Sequence, residues 1–283
     1  MRGNVKGFIG LIRLKNSIMM GLAVLIGEII AYPALFLQPA VFGFLTAFTL
    51  TGASMAINDY FDRYVDAVNE PERPLPKGLV SPSSAVSFSA FLSVLGLASA
   101  FVLGVDCLIF AVLFLALSAF YNARGKVLGL GGNIMVSACV AAPFLYGGFA
   151  VGMSPTILLI IFSALAFLAN TGREITKGIA DVEGDRLRGV KTAAMLWGGK
   201  TAAILASAFY LASVVLSSVP VALREVNFLY LPLILVTDLG FLYSSLSILR
   251  DYSRENSKRT KRMVMIWMLL GLLALILGGL TLP

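Results

Sequence analysis

The sequence predicts an all-α polytopic membrane protein, a single domain over residues 1–283, with about nine transmembrane helices around a central cavity, arranged as two four-helix halves plus one helix. Three observations carry this. Of the 283 residues, 58% are hydrophobic and 13% charged, and the mean hydropathy is +0.89, far more apolar than an ordinary soluble domain. The apolar residues gather in runs near the roughly 20 residues that a helix needs to cross about 30 Å of hydrocarbon. The basic residues fall in alternate loops, as they do in chains that cross a bilayer repeatedly.

The expected spans run from Ser17 to Leu37, Pro39 to Ile57, Ser84 to Leu103, Cys107 to Phe120, Leu130 to Val151, Pro155 to Ala169, Thr201 to Val219, Phe228 to Leu249 and Met263 to Leu280. The fourth is short. The first carries Glu28 and lacks a small-residue cleavage site, so it is expected to remain as a span rather than be removed as a signal peptide. Cys107 and Cys139 lie in or beside spans without metal-ligand or disulfide-framework spacing, and read as packing residues. With the amino terminus in the cytoplasm, the loops on that side hold 4, 3, 2, 6 and 6 Lys plus Arg, which is 21 of the 22; only Arg224 falls outside. That bias predicts a multi-pass protein of the cell membrane with a cytoplasmic amino terminus and an external carboxyl terminus. The net charge of +7 is thus a topology signal and does not point to nucleic acid. The tract "RENSKRTKR", Arg254 to Arg262, reads as a positive-inside loop that can also meet anionic headgroups of membrane lipids.

The second span is followed by "INDYFDRYVDAVNEPERPLPKG", Ile57 to Gly78, which holds five acidic side chains. Asn58, Asp62 and Asp66 are four apart, so on a helix each is displaced by about 40° from the last and all face one side. A solvated helix would intersperse opposite charges at this spacing. Like charges in register instead form a row of oxygen ligands whose repulsion a divalent cation removes. Asp59 lies one helical step off the row, as a supporting group or a further ligand. A second cluster, "REITKGIADVEGDRLRGVKT", Arg173 to Thr192, follows the sixth span and repeats the spacing with Asp181 and Asp185. Each cluster therefore ends the second helix of a four-helix half, on the same membrane side. The chain has no histidine, so any metal falls to oxygen donors and is a hard cation such as Mg2+. Two such clusters can hold two Mg2+ ions, with Arg73, Lys77, Lys177 and Lys191 neutralising what bridges them. A diphosphate suits that charge pattern. As the carbon–oxygen bond to such a leaving group breaks, metals and Lys/Arg stabilise the growing charge, and a dry cavity with aromatic faces protects a cation-like allylic fragment.

At these residues the sequence resembles the UbiA-type intramembrane prenyltransferases, whose Asn/Asp-rich first motif and DxxxD second motif are matched by "NDYFDRYVD" and "DVEGD". The resemblance extends over nearly the whole chain, including "LIRLKN" at Leu11 to Asn16 and "YNARGKVLGLGGN" at Tyr121 to Asn133. It implies Mg2+ and diphosphate binding by Asn58, Asp62, Asp66, Asp181 and Asp185, with Asp59 adjoining, and puts the chemistry on Asp62, Asp66, Asp181 and Asp185. It implies that Arg73, Lys77, Lys126, Lys177 and Lys191 contact diphosphate or an acceptor phosphate, and that Arg13 and Asn16 reach the same mouth. Within the family, the two acidic segments most resemble archaeal members that attach a second geranylgeranyl chain to a glycerol phosphate ether. The expected partners are then a prenyl diphosphate donor, a lipid-phosphate acceptor and membrane lipids. An aromatic acceptor, as in quinone-pathway members, is the first alternative.

Other readings of the motifs are weaker. A CDP-alcohol phosphotransferase would want its aspartates in one compact motif, and this chain divides them between distant loops. An anion transporter would place its charges nearer the midplane. "RPLPKG", Arg73 to Gly78, reads both as a rigid turn and as a ligand contact. "GLGGN", Gly129 to Asn133, lacks the lysine and preceding strand of a phosphate loop and reads as close helix packing. Gly148 and Gly152 are expected at helix contacts, Pro143 at a kink in the fifth span, and Glu28 and Asp238 in structural pairing or water contact.

Overall fold

Long apolar stretches interrupted by Gly, Pro and short polar turns leave helix as the way to satisfy every backbone amide in hydrocarbon, and the computed structural model bears this out. It describes residues 4–32, 34, 36–182 and 189–279. Its helices, in chain order, are α1 (Val5–Leu11), α2 (Leu14–Ala31), α3 (Leu37–Asn69), α4 (Pro82–Leu103), α5 (Val105–Ala123), α6 (Leu130–Ala150), α7 (Ile157–Ala180), α8 (Ala193–Ser217), α9 (Val219–Ala222), α10 (Tyr230–Arg250) and α11 (Arg254–Gly279), with a 3-10 turn at Gly125–Leu128. Among the described residues, nine of these helical stretches are long and apolar enough to cross a membrane. The protein is a multi-pass membrane protein.

The contacts divide the chain into two compact units, one of residues 1–124 and 142–154, the other of residues 125–141 and 155–283. The expected halves put the boundary between the fourth and fifth spans, and the chain does cross between units there, after Arg124. It crosses again inside the fifth, α6, beside Pro143, and once more after Ser154, the proline leaving the helix without one backbone bond.

In the first unit, α1 is a short helix capped by the Asn4 side chain, which accepts from Gly7 N at 2.7 Å. Its Leu11 is fully buried and packs with Ala56, Leu75, Val80 and Ala85. α2 and the later part of α6 approach through glycine. A Cβ at Gly27 would stand 2.3 Å from the Phe144 carbonyl oxygen, and one at Gly147 would stand 2.4 Å from that of Val24. Gly152 does not make such a contact, contrary to the sequence expectation: it has φ +72 with open space around it and closes α6, its N–H donating to Phe149 O and that of Met153 to Gly148 O. α3 has 33 residues, about 50 Å at 1.5 Å each. That exceeds the roughly 30 Å of hydrocarbon, and the helix runs twelve residues past the span end expected at Ile57, carrying the acidic row with it. The turn after it closes at Gly78, whose N–H donates to Leu75 O at 2.9 Å, and Ser81 then caps α4 by accepting from Ser84 N at 3.1 Å.

In the second unit the core gathers around Tyr210, fully buried and stacked on Phe241 with centroids 5.7 Å apart. Its hydroxyl meets Thr176 Oγ1 at 2.8 Å. α7 runs eleven residues past the expected end at Ala169, and α11 begins at Arg254 rather than Met263. "RENSKRTKR" is thus the first turns of a helix rather than a loop. Ser217 donates to Asp238 at 2.7 Å, the structural pairing expected. Glu28 has no such partner: it is 1% exposed and neither carboxylate oxygen has a hydrogen-bond partner among the described residues.

Candidate active site

Two carboxylates of α3 are almost fully buried. Asp59 is 2% exposed and Asp66 1%. Both are paired. Arg13 Nη2 donates to Asp59 Oδ1 at 2.7 Å, and Arg73 Nη1 stands 2.5 Å from Asp66 Oδ2 and 3.5 Å from Asp59 Oδ1. Arg13 lies in the joint between α1 and α2 with φ 44, left-handed backbone that a non-glycine residue adopts at a cost. Its ion pair to a buried carboxylate offsets that cost. Asn58 donates to Asn122 Oδ1 at 3.0 Å, and Asn122, on α5 and buried, donates in turn to Ser54 O at 3.3 Å. Asp62 is half-buried on the same helix.

The remaining residues predicted in this unit lie further out. Asn16 is exposed on the first turn of α2, and Lys77 is paired with Glu72 in the turn that precedes α4. "RPLPKG" forms the turn, and Arg73 reaches inward from it to Asp66 and Asp59.

In the second unit, Asp181 caps the carboxyl end of α7, its backbone N–H donating to Lys177 O at 3.0 Å. Its carboxylate accepts from Lys261 of α11 at 3.4 Å. Lys177 pairs with Glu174 at 3.1 Å, and Glu174 also accepts from Arg173 at 2.8 Å. Lys126 lies in the 3-10 turn before α6. Lys191 follows the second motif and donates its backbone N–H to Val127 O at 3.4 Å. A Cβ at Gly129, which has φ +59, would lie 1.9 Å from the Lys191 carbonyl oxygen, and one at Gly132 would lie 2.6 Å from that of Gly125. "GLGGN" is a close backbone packing site, as its sequence implied. Asp185 lies outside the described residues.

Three participants escaped the sequence reading. Asn122 orients Asn58, Glu174 gathers Arg173 and Lys177, and Lys261 reaches Asp181. A polar residue closing an apolar run and a Glu three before Lys177 were visible signals for the first two. Nothing in the sequence singled out Lys261 from its basic neighbours.

Chemically, Asn58, Asp59, Asp62 and Asp66 supply oxygen donors that fit a hard cation. Among the described residues no three carboxylates already converge as a cation cage; the first cluster's buried pair is turned to guanidinium groups instead. Phosphate oxygens suit the same guanidinium groups, which recognise them through paired N–H donors.

These features define a helical membrane protein that carries, in each unit, carboxylates paired with basic side chains at or near helix ends. The chain belongs to the UbiA prenyltransferase family, whose model matches residues 20–280. It is an intramembrane prenyltransferase. It is 35% identical to the digeranylgeranylglyceryl phosphate synthase of Archaeoglobus fulgidus across 97% of this chain and 96% of that one. A solved structure concerned with digeranylgeranylglyceryl phosphate synthase in membranes matches with a TM-score of 0.85 at 30% identity, over 98% of this chain and 99% of its own. A UbiA homolog from Archaeoglobus fulgidus bound to GPP and Mg2+ shares the fold, with a TM-score of 0.66 at 18% identity, over 95% of this chain and 99% of its own.

Proposed function

We propose that this chain transfers a geranylgeranyl group from geranylgeranyl diphosphate to geranylgeranylglyceryl phosphate, forming an archaeal ether-lipid precursor and releasing diphosphate. The observation that carries the reading is the buried α3 carboxylate row with Arg13 and Arg73 upon it, in a chain 35% identical over nearly its full length to a relative named for that product. Support for Mg2+ comes from the oxygen-only donor set and from the UbiA homolog bound to GPP and Mg2+. Bound here, Mg2+ would supply Lewis-acid stabilisation of charge growing on the leaving diphosphate. Asn58, Asp62 and Asp66, with Asp181 and Asp185 of the second motif, are the proposed oxygen donors.

In this reading Arg73 binds diphosphate oxygens and Arg13 keeps Asp59 oriented beside it. Lys126, Lys177 and Lys191 bind the donor or acceptor phosphate, with Asn16 and Lys77 at the rim. The acceptor hydroxyl oxygen attacks the allylic carbon as its bond to diphosphate breaks, and a carboxylate not engaged by a cation takes the hydroxyl proton. Binding strongest when charge has reached the diphosphate favours the transition state over the ground state. Residues 1–283 act as one domain, with the site mouth and amino terminus cytoplasmic and the carboxyl terminus outside. That orientation is supported by the asymmetry of the basic residues.

The test is a purified-protein assay with radiolabelled geranylgeranyl diphosphate and either geranylgeranylglyceryl phosphate or an aromatic acceptor. The proposal expects Mg2+-dependent product with the glycerol phosphate ether only. Product with the aromatic acceptor alone would move the chain to the quinone-pathway branch.

A further inference from the structure

The first cluster already carries two cations, and both belong to the chain. Arg73 stands 2.5 Å from Asp66 Oδ2, while a single oxygen of Asp59 faces Arg13 at 2.7 Å and Arg73 at 3.5 Å. The carboxylates are fixed on α3 and almost fully buried, whereas the Arg13 and Arg73 side chains remain 32% and 27% exposed. Neither arginine lies on that helix. Arg13 occupies the joint between α1 and α2, and Arg73 a turn after Asn69. The anions are therefore rigid and the cations hang from short non-helical segments.

A divalent cation arriving alone at Asp66 meets the Arg73 guanidinium on Oδ2 and must either displace it, leaving it one long contact to Asp59, or sit beside it. Like charges at such distances repel strongly in a partly dehydrated site. A cation arriving with diphosphate meets no such obstacle, because the diphosphate offers Arg73 new oxygens as it leaves Asp66. Asp59, its oxygen shared by two guanidinium groups, is suited to hold Arg13 and Arg73 ready rather than to ligate metal.

We propose that Arg73 is the resting occupant of Asp66 and passes to diphosphate on binding, so that the first cluster takes its divalent cation together with diphosphate and not before it. This rests on the functional reading above and adds an order of binding to it. Arg73 is here a positioning residue as well as a diphosphate contact.

The experiment measures Mn2+ binding to the full chain in detergent by electron paramagnetic resonance of free Mn2+, with and without inorganic diphosphate. It compares the unaltered protein, Arg73→Gln, Arg73→Lys and the double variant Arg73→Gln/Asp62→Asn. In the absence of diphosphate, Arg73→Gln should bind Mn2+ at least about tenfold more tightly than the unaltered protein, the scale of one lost charge-assisted contact. The double variant should lose that gain, and Arg73→Lys, which keeps the charge, should bind as weakly as the unaltered protein. Equal or weaker Mn2+ binding by Arg73→Gln would overturn the proposal. Should Arg73→Gln not fold, the unaltered protein still decides: Mn2+ bound at an Asp62-dependent site as tightly without diphosphate as with it would also overturn the proposal. Prenyl transfer, measured on the same preparation, separates the two levels. Transfer present with either overturning result removes only the binding order, whereas no transfer and no diphosphate-dependent Mn2+ binding removes the functional reading and the order with it.

Discussion

Replacing Gly129 by alanine isolates the packing that seats Lys191. Two costs combine there. An L-residue at φ +59 costs about 1–2 kcal/mol, of which roughly 0.4–1 kcal/mol is returned by the less flexible unfolded chain. The new Cβ would also stand 1.9 Å from the Lys191 carbonyl oxygen, and relieving such overlap against backbone costs about 1–3 kcal/mol. The sum is roughly 2–4 kcal/mol. Two other glycines serve as controls. Gly78→Ala shares the backbone conformation, φ +68, but meets nothing within 4 Å, and should cost about 1 kcal/mol or less. Gly131→Ala meets only the Leu128 side chain, at 3.5 Å, inside α6, and should be neutral or stabilising by up to about 1 kcal/mol. Unfolding in mixed micelles gives all three values. Lys191 is displaced only in the Gly129 variant, so prenyl transfer should fall in it beyond what the folded fraction explains. Equal stability of Gly129→Ala and Gly131→Ala would refute the reasoning.

Other outcomes follow from single contacts. Asn122→Ala leaves the Asn58 amide without its 3.0 Å partner; it should destabilise by about 1–3 kcal/mol and lower turnover, checked by the same unfolding and transfer assays, and unchanged turnover in folded protein would remove Asn122 from the site. Glu28→Met removes two buried oxygens that have no hydrogen-bond partner among the described residues; stability should hold or rise by about 1 kcal/mol, and a marked loss on thermal unfolding would contradict this. Chelation of divalent cations should abolish transfer and readdition of Mg2+ should restore it, read as labelled product.

The span count and the acidic rows were legible because hydropathy and a four-residue spacing report directly on a helix in a bilayer. Asn58, Asp62 and Asp66 could be placed on one face before any coordinates were known. The ends of α3 and α7 were not legible in the same way. Hydropathy falls where the helix leaves hydrocarbon, yet hydrogen bonding continues it to Asn69 and Ala180, so polarity marks the edge of the membrane rather than that of the helix. The boundary within α6 escaped because it reflects which neighbours each part packs on, and Pro143 gave only its position. The partners of Asp59 and Asp181 are long-range: Arg13 lies 46 residues from Asp59, and Lys261 80 residues from Asp181. The charge pattern named Arg73 and the family resemblance named Arg13, but neither could show that they already pair with the carboxylates.

The central proposal is that the acidic motif of α3 and the motif following α7 are each required for diphosphate binding. Equilibrium binding of labelled inorganic diphosphate, in the presence of Mg2+, by the full chain in nanodiscs tests it most directly. Asp62→Ala and Asp181→Ala should each weaken binding by at least about tenfold, the scale of one lost charge-assisted contact. Undiminished binding in either folded variant would contradict the account.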